Sequence, residues 1–205
     1  MHRLFARFIP IAALLLVVSA CGGESQPSAS GKWTRHEIRD SSASVAVPEE
    51  WKVIDDFDPE TIATFTKENE KFAPYVEPLV RNDVIKLLAI DPAVQEKFAT
   101  NLNVIVAPVS TPLRQWVEQQ NASTRRVAVP GSLRTAYIQT PEGEAAKVSW
   151  LLEVESGGEK KQVQSLQYLF RQDDTGYVLT FSTLPSQATK YAPTFNKSAH
   201  SFQID

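Results

Sequence analysis

Reactive side chains are few in this sequence, and their spacing limits what they can do. The one thiol belongs to Cys21, and the histidines are His2, His36 and His200. A structural or catalytic metal needs three or four converging ligands. Neither His36 nor His200 has a second histidine nearby, and no His-Glu-x-x-His frame occurs. Two rim histidines are the simpler reading. No Gly-x-Ser-x-Gly elbow is present, and Pro130-Gly131-Ser132 lacks the strand-to-helix setting that exposes a nucleophile. The glycine pairs at 22–23 and 157–158 precede no Lys-Ser/Thr, so neither is a phosphate loop. Asp55-Asp56-Phe57-Asp58-Pro59-Glu60 gathers carboxylates but not the alternating ligands and glycine of a calcium loop. It reads as a helix start, where negative charge is favourable. Asp173-Asp174-Thr175-Gly176 reads as a hairpin turn. The expectation is no catalytic residue, no metal and no cofactor; a hydrolase site built from dispersed residues is the alternative.

The chemistry that the spacing does support is at Cys21. His2, Arg3 and Arg7 form a short basic region, and Ile11 to Val18 is a charge-free apolar run. That run is too short for a permanent membrane span, which takes about 20 apolar residues. It has the form of an export signal. Val18-Ser19-Ala20-Cys21-Gly22 follows and resembles the bacterial lipobox. In such signals the Cys thiol becomes a thioether to diacylglycerol, and cleavage then leaves the Cys as the new N-terminus. Ser19 and Ala20 are small enough for the cleavage site. The expected cleavage lies between Ala20 and Cys21, with a membrane anchor at Cys21. Two acyl chains hold where one binds only reversibly, at about 0.8 kcal/mol per buried CH2.

Residues 1–20 are thus a signal peptide, and 21–32 are the lipidated Cys and a tether. Residues 22–32 are small and polar and offer no core-forming content. Loss of Arg3 and Arg7 leaves 19 basic residues against 24 acidic ones, a net charge of −5. Such a domain is not drawn to anionic lipid or to nucleic acid by charge.

Residues 33–205 read as a single domain. In the 205-residue chain 42% of residues are hydrophobic and 22% charged, an ordinary globular balance. Trp33–Ile38 and Ser44–Val47 read as strands, followed by a turn at Pro48-Glu49-Glu50-Trp51. Asp58 and Pro59 cap and open a helix over 59–69, and 71–82 repeats an apolar face at helical spacing. Val84–Ile90 and Leu102–Val109 read as strands, and Thr111-Pro112 as a second capped helix start with Leu113, Trp116 and Val117 on its apolar stripe. Thr124–Val129 and Thr135–Gln139 read as strands. Ala146, Val148, Trp150, Leu152 and Val154 alternate, the clearest period of two in the chain. Ser156-Gly157-Gly158 then turns the chain. Gln162–Arg171 and Tyr177–Phe181 complete the strands, and a helix near 187–200 closes the domain. Trp116 and Trp150 read as core, while Trp33 and Trp51 are open between core and surface.

This order is α+β with a mainly antiparallel sheet. Strand 84–90 is apolar on both sides, so helices are expected on both faces. The Pro-x-x-Trp turn, the paired helices, and Asn101-Leu102-Asn103-Val104 with a proline-led helix behind it form one part of a resemblance. Gln167-Tyr168, Tyr177-Val178-Leu179-Thr180 and the terminal helix ending at Ser201-Phe202 form the other. Together they resemble the PsbP-like fold, an α-β-α sandwich, and within it the LpqN/DcrB type of bacterial lipoprotein. That resemblance implies a non-enzymatic, membrane-tethered accessory or binding domain. Taken with the lipobox, the tether and the lack of a catalytic constellation, it gives the expectation of a domain at the exported side of the cell envelope that holds a protein partner or a small apolar ligand. A passive structural lipoprotein is a third reading.

Overall fold

The computed structural model describes residues 31–68, 85–156 and 159–205. The helix expected over 71–82 and the turn at Gly157-Gly158 lie outside the described residues. Among these residues ten strands and three α-helices follow in order: β1 (Trp33–Glu37), β2 (Ala43–Pro48), β3 (Lys52–Ile54), α1 (Pro59–Glu68), β4 (Ile85–Ile90), β5 (Asn101–Pro108), α2 (Leu113–Thr124), β6 (Arg134–Thr140), β7 (Gly143–Ser156), β8 (Glu159–Gln172), β9 (Thr175–Thr183), α3 (Ala188–His200) and β10 (Gln203–Ile204). A seven-stranded sheet runs β3-β4-β5-β9-β8-β7-β6, and a small one runs β1-β2-β10. Every strand pair described is antiparallel.

Alternation sorts the side chains of the large sheet between two cores. Leu87, Ala89, Leu102, Val104, Tyr168, Phe170, Leu179 and Phe181 face one way, against α3 and the small sheet. Ala146, Val148, Trp150, Leu169 and Val178 face the other way, against Trp116 and Val117 of α2. Leu88 and Ile90 pack on that second side beneath Ile62 and Phe65 of α1. Helices therefore cover both faces, as the two-sided apolar strands require. Among the described residues no helix is long and apolar enough to cross a membrane.

Specific contacts fix the layers. The Phe195 ring stacks on Phe181 at 4.8 Å and on Tyr191 at 5.7 Å between centroids. Phe202 meets Phe170 at 4.4 Å. The end of α3 is sewn to β2: Ser198 Oγ donates to the Ala46 carbonyl, and the Ala46 N–H donates to Ser201 Oγ, both at 2.8 Å. On the opposite side Gly176 clears the ring of Trp116. A Cβ there would stand 2.5 Å from Val109 Cγ2 and 2.7 Å from Trp116 Cη2.

Polar groups in the interior are paired at one end of the sheet. Tyr191 donates its hydroxyl hydrogen to Asp91 Oδ2 at 2.6 Å. The Ala93 N–H donates to Asp91 Oδ1 at 2.7 Å, and the Thr100 and Thr183 hydroxyls share a bond of 2.9 Å. This cluster ties α3 to the loop after β4 and to the ends of β5 and β9.

Two sequence expectations need correction. Thr111 does not cap α2. Pro112 holds the cap position in extended conformation and makes no side-chain cap bond. Residues 124–129 are not a strand: α2 runs to Thr124, and Asn121, buried and donating to Thr135 Oγ1, draws the helix across β6. Only Ala128 then pairs with β7, opposite Leu152. β3 and β10, of three and two residues, have no sequence expectation of their own. The other strands and α1 and α3 stand where the periodicity puts them, within a few residues.

Two outcomes follow from this core. Tyr191→Phe strands a buried carboxylate oxygen, so urea unfolding should show a loss of about 1–3 kcal/mol; a loss below about 0.5 kcal/mol would mean that Asp91 finds another donor. Burial pushes the Tyr168 hydroxyl up to about 12 and raises that of Tyr191, with Asp91 adding to the effect. An unfolded tyrosine ionises near 10. A folded value above the unfolded one gives stability that is complete below about pH 10 and lost as pH climbs through about 12. Phenolate absorbance should show both residues ionising only as the near-ultraviolet dichroism collapses. Their ionisation near pH 10 in the intact fold would contradict their burial.

Candidate functional site

Ala20 and Cys21 lie outside the described residues, so the lipidation site is not among the geometry that follows. His36 is half-buried on β1 opposite Val45. His200 ends α3, exposed, with Nδ1 2.8 Å from the Asn196 carbonyl oxygen. Neither meets a serine hydroxyl or a carboxylate, and no group of three metal-ligating residues forms among the described residues.

The acidic run is a helix cap. Asp58 Oδ1 accepts the Glu60 N–H at 2.8 Å and the Thr61 N–H at 3.1 Å, and its other oxygen accepts the Thr61 hydroxyl. The Thr61 bonds, hydroxyl first, hold the Asp58 carboxyl down to about 2. Asp173, at φ 50°, turns β8 into β9, and the Asp174 carbonyl takes the Val109 N–H at 2.7 Å. Trp116, Trp150 and Trp51 are buried. Trp33 is half-buried, with Lys197 Nζ 4.4 Å above its ring. Trp116 and Trp150 thus prove to be core, and Trp51 joins them.

Among the described residues two open grooves lie on the surface. The larger, about 590 Å³, lies between Glu96, Lys160, Lys161, Gln162 and Leu184-Pro185-Ser186. The other, about 430 Å³, runs from Asp40-Ser41-Ser42 to Pro108 and Asp174. Lys86 closes on Asp40 at 2.9 Å, and Lys161 donates to the Glu96 carbonyl. Both grooves are open and mixed in polarity, unlike the concave apolar sites that take small ligands.

The most distinctive surface is the flank of the large sheet beside α3. β6 is an edge strand, and its Arg134, Thr135 and Ala136 are exposed. On β7 the residues that alternate with the Ala146–Val148–Trp150 stripe point to the α3 side. Ala145 is covered, whereas Lys147, Ser149 and Leu151 are half-buried. Lys147 stands at the border, opposite Ala136 on β6 and Tyr168 on β8. Its Nζ donates to Asn196 Oδ1 at 3.1 Å. The Tyr168 hydroxyl donates to the same oxygen at 2.5 Å, and the Tyr168 ring centroid lies 5.4 Å from Nζ. Among the described residues no carboxylate comes within 4 Å of the ammonium, and burial lowers its pKa.

Sequence reasoning missed this cluster. Lys147, Tyr168 and Asn196 are far apart in sequence and belong to no motif. The usable signal was the parity of β7: a polar set that alternates with a buried apolar stripe has to face somewhere, here toward a second layer.

No family model matches the sequence, and no curated protein matches it in sequence. Solved structures do match in shape. The solution structure of cyanobacterial PsbP (CyanoP) from Synechocystis sp. PCC 6803 superposes with a TM-score of 0.53 at 11% identity, covering 92% of this chain and 99% of that one. A Pseudomonas aeruginosa protein of unknown function, PA94, described as a putative regulator, gives 0.49 at 10% identity over 83% and 96%. LpqN of Mycobacterium tuberculosis, described as involved in cell envelope biogenesis, gives 0.47 at 9% identity over 85% of each chain. The layered sheet with helices on both faces, and its match to CyanoP along nearly the whole of both chains, make this a PsbP-like fold.

Proposed function

We propose that the chain is an exported lipoprotein whose PsbP-like domain serves as a non-catalytic accessory or binding domain in the bacterial cell envelope. Cleavage between Ala20 and Cys21 exposes Cys21, which carries the diacylglyceryl anchor. Residues 22–32 tether the domain to the exported side of the membrane. The observation that carries this reading is the placement of the only Cys: it directly follows a charge-free run at 11–18 and the small residues Ser19 and Ala20, and it precedes a polar stretch and then a folded domain. A free thiol has no other evident use there. The open sheet flank beside α3 favours a protein partner over a small apolar ligand, because both grooves among the described residues are open and mixed in polarity. Nothing about His36 or His200 favours a dispersed hydrolase site.

Cys21→Ala tests the anchor. Grown with a palmitate label, the wild-type chain should take up label and sediment with membranes, while the variant should lose the label and its membrane association. A variant that stays labelled, or that still sediments with membranes in full, would refute lipidation at Cys21.

A further inference from the structure

A half-buried ammonium is ordinarily paired with an anion, because desolvation without a counter-charge is costly. Lys147 is not so paired among the described residues. It has three N–H donors, and one goes to Asn196 Oδ1, a neutral acceptor also held by the Tyr168 hydroxyl. Asn196 and the Tyr168 ring fix the ammonium at the edge of the covered sheet. Half-exposed Ile138, Leu151 and Leu166 share its face. Arg134, on the same face of β6, donates to the carbonyls of Gly131 and Leu133 at 2.6 and 2.9 Å.

We propose that Lys147 anchors an acidic side chain of a protein partner that docks on the open face of β6 and β7. One ammonium with apolar neighbours is matched by one carboxylate set in an apolar rim. The face is open rather than concave, which suits a macromolecule better than a small ligand. The chain itself carries net negative charge, so an anionic membrane surface is the poorer match. This inference rests on the binding-domain reading above and names the chemistry of its contact.

The test uses the full chain in its own envelope, with a benzophenone amino acid placed at exposed Ala136. Irradiation should capture one protein reproducibly, and Lys147→Met should cut that capture by at least about tenfold, while Lys147→Arg, which keeps the charge, should retain most of it. A carbodiimide should join Lys147 of the otherwise wild-type chain to an Asp or Glu of that same protein. Lys147→Met should leave the melting temperature unchanged or raise it by up to about 2–4 °C, since it removes a partly desolvated charge that has no carboxylate partner among the described residues. No capture from Ala136, capture indifferent to Lys147→Met, or coupling of Lys147 to a lipid phosphate or to a second copy of this chain would overturn the proposal. A melting temperature lowered by more than about 4 °C would make Lys147 a structural residue instead. Those failures leave the anchor test with Cys21→Ala untouched, so the two readings are separable.

Discussion

The structure depends on one constraint: its central strands bury side chains on both faces at once. In β9, Leu179 and Phe181 pack toward α3 while Val178 packs toward α2. In β8, Tyr168 and Phe170 face one layer and Leu169 the other. A sheet with this pattern cannot leave either face in water at about 25 cal/mol per Å² of apolar surface. It must be covered twice, and the α-β-α sandwich follows. The aromatic contacts of Phe195 and Phe202 are how the α3 layer meets that demand. The absence of a Cβ at Gly176 lets Trp116 meet it on the other side.

The same constraint weakens toward β6, and that is where the surface becomes chemically interesting. β7 keeps its apolar stripe under α2, but on the α3 side cover ends beyond Ala145. Lys147 marks this boundary, its ammonium bonded to Asn196 and set over the Tyr168 ring. The most internal polar cluster, Asp91 with Tyr191 beside Thr100 and Thr183, lies elsewhere in the sheet and has its partners within the fold. The contrast is between polar groups satisfied inside the domain and a cation whose hydrogen-bonding capacity is only partly used among the described residues.

Legibility from sequence followed the strength of local signals. The period of two in β7, the two-sided apolar β4 and the Asp58-Pro59 helix start were all readable, because each rests on short-range stereochemistry. So was the layered architecture, since doubly apolar strands need two covers. What escaped depended on distant partners. The two-residue β10 exists because Ala43 and Ser44 lie beside it. The extension of α2 to Thr124 reflects a bond from Asn121 to β6. Lys147 could be read as polar but not as half-buried, because its surroundings come from β8 and α3.

The claim that most needs a direct test is that the β6–β7 flank is the working face of the domain. Hydrogen–deuterium exchange of the full chain in its own membranes, compared with the detergent-purified protein, addresses it. Added protection in the membranes is expected, concentrated in peptides spanning 134–151. Protection confined to α2 over 113–124, or no difference between the two preparations, would contradict it.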